Sequence, residues 1–381
     1  MKVLPYPSLR NAVPALALVA VNVTSMAGPA MQLAAILAVL GLCLPLLKAD
    51  LRLSWFLLLG WVAICLILAF SQYGAHHSVI KAGKLALFCL VSGLAVRGAD
   101  GDKSFPAVVA LRAFLGLCAL NFLYGAVIGG NVFRAAFFVE FSIYSSYTIA
   151  ILIHLARPHL TLVDRFFAVL FSMLFGSTTG FFVLFLAEIV GRKWRPRFVI
   201  AGLALSPVAV FALNFLMKAR EKSLTLDYLL TSDRVRLLTT FKDTTLQTFS
   251  LTDWITGIGV GRPFPEFVTP DAGFDGYLLR LGEDGIYSFC LHNEALRILC
   301  DFGLIGLLLV GLRLWITCPR PVLVLLGVCM ITNSYLYSFS GALIASSLFN
   351  QIPKRRRESE EETESLPELK PEDPDRTFTY A

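Results

Sequence analysis

Long apolar stretches recur along this sequence and constrain its fold more than any other feature. Each is roughly 17–22 residues long, which as a helix matches the about 30 Å hydrocarbon core of a bilayer. Of the 381 residues, 56% are hydrophobic and only 16% are charged, which is too little charge for a soluble domain of this length. Because a helix satisfies its own backbone hydrogen bonds, we expect an all-α integral membrane protein.

We count about twelve such stretches, about nine before a long hydrophilic segment and about three after it. The chain therefore divides into a first group of transmembrane helices (1–217), a long loop (218–294), a second group of transmembrane helices (295–350) and an acidic tail (351–381). The last span, predicted at 338–350, is short. The tail has too few apolar residues to bury a core, so we expect it to be disordered.

Basic residues are distributed unequally between the two sides of the predicted membrane. If the N-terminus is cytoplasmic and the spans alternate, the inner segments hold most of the lysines and arginines. The short outer segments then hold only Arg134, with Lys81 and Lys84 near the outer end of the fourth span. By the positive-inside rule, both termini are predicted to be cytoplasmic and the long loop to lie outside. The net charge of +6 reflects this asymmetry and does not indicate nucleic-acid binding.

The long loop contains one predicted helix followed by turns. TLQTFSLTDWITG has the apolar spacing of a short helix, with Trp254 placed to lie at the membrane surface. GIGVG, at 257–261, and the prolines after it predict turns and irregular chain. The eight cysteines of the whole chain fall mostly within apolar runs and are typical of small buried hydrophobic residues. No spacing of histidines, cysteines and carboxylates predicts a metal site.

The loop ends in His292-Asn293-Glu294, directly before the tenth predicted span. Asn293 is a favourable helix N-cap, and an acid suits the first turn. This interpretation leaves His292 without a structural role. Because an imidazole can take or give a proton near neutral pH, His292 is a candidate general base. Close approach of another helix is predicted at the three glycines of the span, Gly303, Gly306 and Gly311.

GIGVGRPF, followed later by HNEALRILCDFGLIGLLL, resembles the O-antigen ligase and O-antigen polymerase family in the order and spacing of its motifs. The resemblance rests on Gly257, Gly259, Gly261, His292, Asn293, Leu296, Leu299, Gly303, Gly306 and Leu307. It implies a metal-independent, GT-C-like architecture without a cofactor. It also implies a glycosyltransferase that moves a glycan from undecaprenyl diphosphate to an acceptor hydroxyl, at the periplasmic face of the bacterial inner membrane. The acceptor is lipid A core for a ligase or the growing polysaccharide for a polymerase, and the sequence does not decide between them.

By this resemblance, His292 is expected to activate the acceptor and basic residues to bind the diphosphate. A leaving diphosphate develops negative charge and, without a metal, needs fixed positive charge, which the planar fork of arginine supplies well. The catalytic candidates are His292, Arg234 and Arg236, and the substrate-binding candidates are Arg134, Lys81, Lys84, Arg280, Asn293, Gly257 and Gly259. Many family members carry a Ser-Arg-Gly type segment where this chain has GSTTG (176–180). Arg134 or Lys84 is the expected substitute for that arginine.

A membrane transporter or flippase for a lipid-linked or anionic substrate is the alternative, and a catalytically inactive scaffold is a third reading. A transporter predicts discontinuous helices and paired polar residues at mid-membrane in both halves. Glu140 lies among Tyr144, Ser145, Ser146 and Tyr147, a hydroxyl-rich face that either lines a polar cavity or hydrogen-bonds across packed helices. Packing is the favoured interpretation of this face. Glu188 is predicted to pair with Arg192.

Overall fold

The computed structural model describes residues 9–49, 52–96, 104–128, 137–140, 142–190, 235, 238–239, 241–264, 287–346 and 348–349. The chain is mostly helical, as expected. Numbered among the described residues, the helices are α1 (Leu9–Val23), α2 (Pro29–Leu42), α3 (Leu53–Tyr73), α4 (His77–Ser92), α5 (Ser104–Val127), α6 (Ser142–Ala156), α7 (Leu162–Leu174), α8 (Thr178–Ile189), α9 (Leu251–Thr256), α10 (Glu294–Thr317), α11 (Arg320–Thr332) and α12 (Phe339–Ile344).

Three helices, α3, α5 and α10, are long and apolar enough to cross a membrane, and shorter apolar helices lie within α1 and in α2, α8 and α11. They indicate a membrane protein. On α3, eight large hydrophobic side chains are exposed, which suits contact with lipid: Leu53, Phe56, Leu57, Ile64, Ile67, Leu68, Phe70 and Tyr73. The predicted ninth span, 197–217, lies outside the described residues, as does the acidic tail.

The predicted twelfth span is much shorter than expected. Over 338–350 the structure has only α12, whose six residues extend about 9 Å at 1.5 Å per residue. This length is too short to cross a bilayer. Instead, α12 packs against α1, α4 and α6, and every one of its residues is buried. The apolar run at this position is therefore a buried core segment.

The other helices pack both against neighbours in sequence and against more distant helices. α1 packs against α2 and α5, α5 against α6, α6 against α8, and α3 against α4. α10 contacts α3, α4 and α11. Two short strands, β1 (Leu47–Ala49) and β2 (Leu94–Val96), pair in antiparallel register after α2 and α4, with Leu47 opposite Val96. These two strands form the one sheet among the described elements.

Ion pairs form at the helix ends, although not with all of the predicted partners. Glu188 pairs with Arg165 of α7, Oε1 to Nη1 2.5 Å, while the expected partner Arg192 lies outside the described residues. Arg112 holds Asp164 through two hydrogen bonds of 3.0 Å each.

The described cysteine side chains form no disulfide, and all but the half-buried Cys65 are buried, which confirms their prediction as small hydrophobic residues.

Candidate functional site

The short helix α9 confirms the helix predicted in the long loop. It begins with a capping box, in which the Asp253 amide donates to Ser250 Oγ (3.2 Å) and the Ser250 amide donates to Asp253 Oδ2 (2.9 Å). It ends at Gly257, whose φ of 85° favours glycine. Trp254 on this helix is 37% exposed. Gly259 and Gly261 also have positive φ, so GIGVG forms the predicted turns.

The GIGVG turn packs into a break in α10. At Gly303 the backbone leaves helical geometry, with φ 69° and ψ −173°. The Ile258 amide donates to the carbonyl of Cys300 (2.9 Å), and a Cβ added to Gly257 would lie 2.6 Å from that carbonyl oxygen. A Cβ on Gly303 would collide with the Ile255 carbonyl. Both glycines are therefore required by the close approach of the loop to the broken helix.

Backbone carbonyls at the break find partners, as a segment within a membrane requires. The Trp61 indole on α3 donates to the Phe302 carbonyl (2.9 Å). The prediction of close approach thus holds at Gly303, where the partner is the loop helix α9. A Cβ on Gly306 would lie 3.5 Å from Trp61 Nε1. No described residue lies within 4 Å of a Cβ added to Gly311, so the described part of the chain shows no close approach there.

A small apolar cluster joins further described residues of the loop to α10. It consists of Phe241, Phe264, Tyr287, Leu291 and Cys300. The Tyr287 ring also lies 5.1 Å from the His76 ring, centroid to centroid, at the start of α4. Gly261 approaches the same region, since a Cβ there would lie 2.7 Å from Val79. The loop is thereby packed against both α10 and the turn between α3 and α4.

His292 lies where this loop enters α10, in an unusual backbone conformation. Its φ of 52° and ψ of 21° are left-handed, and no other non-glycine residue in the described ranges has a positive φ. Such strain costs free energy and concentrates at functional sites. The next residue, Asn293, caps α10 as predicted, with Oδ1 accepting from the Leu296 amide (3.0 Å). Its Nδ2 donates to the Ile331 carbonyl (3.3 Å).

A buried ionic cluster follows within the first two turns of α10. Arg297 Nε lies 3.6 Å from Asp301 Oδ2, and both side chains are almost fully buried. Asp301 also accepts from Ser288 Oγ (2.5 Å) and from the Tyr337 hydroxyl (3.4 Å). The Arg297 guanidinium stacks on the Tyr337 ring, 3.5 Å from its centroid. Charges inside a membrane protein are costly, so those present are usually paired or functional.

Two further carboxylates hold the chain at the start of α12, one through the non-helical segment before it and the other through its first turn. Glu294 Oε1 accepts from the Tyr337 amide (3.1 Å). Glu140 accepts from the Phe339 and Ser340 amides through its two oxygens (2.9 and 2.8 Å). The position of Glu140 supports its interpretation as a packing residue.

The hydroxyl-rich face near Glu140 likewise hydrogen-bonds between helices. Tyr147 bonds to Thr332, oxygen to oxygen 2.7 Å, and Thr148 bonds to Tyr335 (2.9 Å). Lys84 on α4 belongs to the same interior. Its Nζ lies 5.1 Å from the Phe339 ring centroid, and its charge interacts with those of Glu140 and Arg297.

The predicted site residues are therefore described only in part. His292, Asn293, Gly257 and Gly259 lie at the contact between the loop and α10. Lys84 on α4 lies near Glu140 and Arg297. Lys81 is half-buried one turn earlier on α4. Arg134, Arg234, Arg236 and Arg280 lie outside the described residues. Sequence reasoning missed Arg297 and Asp301, although two opposite charges four residues apart inside an apolar run were the available signal.

The described residues define a helical membrane protein in which a long loop packs onto a broken helix beside a buried ionic cluster. Among them, no group of histidines, cysteines and carboxylates is arranged to hold a metal ion. Comparisons of the chain with protein-family models, with characterised proteins and with solved structures find no match.

Proposed function

We propose that this protein is a membrane glycosyltransferase of the O-antigen ligase or polymerase type. It transfers a glycan from undecaprenyl diphosphate to an acceptor hydroxyl, on lipid A core or on the growing polysaccharide. The reaction takes place at the periplasmic face of the bacterial inner membrane, with both termini in the cytoplasm. One observation carries the proposal: the two motif segments of the resemblance, far apart in sequence, are in contact through Ile258 and Cys300 and through Gly257 and Gly303.

His292 acts as the general base in this proposal. Its imidazole takes the proton of the acceptor hydroxyl, the acceptor oxygen forms a bond to the anomeric carbon, and the bond from that carbon to the diphosphate oxygen breaks. The left-handed backbone at His292 fixes the direction in which the ring leaves the chain. The diphosphate departs with added negative charge, which Arg234 or Arg236, with Lys84, Lys81, Arg134 and Arg280 as further candidates, stabilises.

The acceptor distinguishes the two forms of this activity. In a deletion strain, loss of a polymerase leaves single repeat units on lipid A core, whereas loss of a ligase leaves long chains on the lipid carrier. Complementation with the His292→Ala variant is expected to reproduce the deletion phenotype at normal expression. His159→Ala, in the turn after α6, is the matched control and is expected to restore the glycan. Full restoration by His292→Ala contradicts the proposed role of the imidazole.

A transporter or flippase for a lipid-linked or anionic substrate is the second candidate, favoured by the broken backbone of α10. The non-helical chain between α11 and α12, held by a buried carboxylate, fits the same interpretation. Both features lie in the second group of helices, whereas the transporter architecture predicts them in each half. Flipping of a lipid-linked glycan in liposomes without any transfer product would favour this candidate.

A further inference from the structure

Three polar atoms of Glu294 and Arg297 lack hydrogen-bond partners among the described residues: Glu294 Oε2, Arg297 Nε and Arg297 Nη2. Arg297 Nε faces Asp301 Oδ2 at 3.6 Å as an ion pair, so Glu294 Oε2 and Arg297 Nη2 are the two atoms without a facing group. The two residues are 0% and 4% exposed. Leaving a buried charged group without its hydrogen bond is costly, so buried polar atoms usually have a partner. A carboxyl oxygen can accept a hydrogen bond, and a guanidinium nitrogen can only donate one.

The two atoms belong to side chains on the same face of α10. Glu294 and Arg297 are three residues apart, a spacing that makes helix side chains neighbours. Both also contact Tyr337, Glu294 through the Tyr337 amide and Arg297 through the Tyr337 ring. The Glu294 carboxylate lies near the amides of Tyr335 and Leu336 as well. A single small group between the two side chains would satisfy both.

The hydrogen-bonding capacity of the pair indicates what kind of group fits. A neutral hydroxyl accepts one hydrogen bond and donates another, which matches one free donor and one free acceptor.

We propose that Glu294 and Arg297 form a subsite that binds a hydroxyl group of the acceptor sugar. Arg297 Nη2 donates to the hydroxyl oxygen, and the hydroxyl donates to Glu294 Oε2. The subsite rests on the proposed function and deepens it, because it holds a hydroxyl that does not react while His292 activates another. His292 and Asn293, the two residues before Glu294, are half-buried. The buried pair of Glu294 and Arg297 therefore lies directly beside partly exposed residues.

The test measures binding of a defined probe, the core oligosaccharide released from a rough lipopolysaccharide, to the full-length protein in a sugar-free detergent. Native protein is expected to bind it saturably. Glu294→Gln exchanges the acceptor for an amide donor, and Arg297→Lys keeps the charge beside Asp301 but loses the planar fork. Each is expected to weaken binding about 10- to 100-fold, the range for hydrogen bonds to charged groups. Glu188→Gln on α8, which alters the pair with Arg165 of α7, is the matched control and should bind normally.

The outcomes separate the subsite from the proposed function. Absence of saturable binding by the native protein overturns the subsite, and so does native affinity in both variants. If Glu294→Gln does not fold, Arg297→Lys carries the comparison. Weakened binding in the variants, with no transfer by the native protein, supports the subsite and removes the proposed activity. Unchanged binding, with transfer that His292→Ala abolishes, removes the subsite and leaves the activity.

Discussion

At the scale of single residues, His292 combines a candidate catalytic group with a strained backbone. A non-glycine residue in the left-handed region costs roughly 1–2 kcal/mol, and the surrounding cap and loop contacts hold it there. The sequence predicted the Asn293 cap and the candidate role of His292 from residue types alone. It could not predict the left-handed φ, because that angle follows from how the loop packs onto α10.

We expect His292→Gly to be more stable than His292→Ala, although both lose glycan transfer. Glycine adopts a φ of 52° without a steric penalty, because it has no Cβ. Alanine has a Cβ and therefore retains most of the penalty that histidine bears. The difference in free energy of unfolding should be about 1 kcal/mol. Thermal melting of the two variants in detergent measures it. Equal melting temperatures would show that the backbone at this position is relaxed.

Arg297 should be required for folding through its partner Asp301. Removing the guanidinium in Arg297→Met leaves a buried carboxylate without its cation, which costs about 3–5 kcal/mol. Removing both charges in the double variant Arg297→Met, Asp301→Leu should restore most of that stability. Detergent-solubilised yield and thermal melting of the single and double variants provide the measurement. A single variant as stable as the native protein would contradict a buried, paired Arg297.

At the scale of elements, the break in α10 and the loop helix α9 depend on each other. Composition and periodicity predicted a continuous span here, since an apolar run with glycines has the same pattern whether or not it is broken. What breaks the helix is the approach of Gly257 and Ile255, a tertiary contact that no local pattern shows. The short α12 was missed for a similar reason, because a segment buried among helices is as apolar as one that spans lipid.

Gly303→Ala is expected to displace α9 from α10. The added methyl group meets both an unfavourable φ of 69° and the Ile255 carbonyl. The loop should then become more sensitive to limited proteolysis, and the melting temperature should fall. Gly311→Ala is the control, because its site is open space on the same helix and alanine favours helix by up to about 1 kcal/mol. Equal protease sensitivity in both variants would argue against the docking contact.

At the scale of the whole molecule, hydropathy predicted a helical membrane protein, and the structure confirms the helical class with three helices long enough to span. The orientation was predicted from the distribution of lysines and arginines and stays a prediction. Positions of the charged residues in α10 relative to Lys84 and Glu140 could not be derived from sequence, because they depend on which helices pack together.

Labelling of single introduced cysteines tests the orientation. Thr252→Cys, on the exposed face of α9, should react with a membrane-impermeant maleimide in intact spheroplasts. Lys48→Cys, exposed in β1, should react only after the membrane is permeabilised, because the positive-inside rule places it in the cytoplasm. The opposite pattern would place the long loop in the cytoplasm, where the proposed periplasmic reaction does not occur.

The most direct test of the central claim is transfer by the purified protein. Native protein in liposomes is incubated with an undecaprenyl-diphosphate-linked glycan, and with rough lipopolysaccharide as acceptor in one reaction and without it in another. The account predicts release of undecaprenyl diphosphate together with a glycan joined to lipid A core for a ligase, or a longer lipid-linked glycan for a polymerase. His292→Ala should form neither product. Absence of both products from the native protein, or equal yields from the variant, would contradict the account.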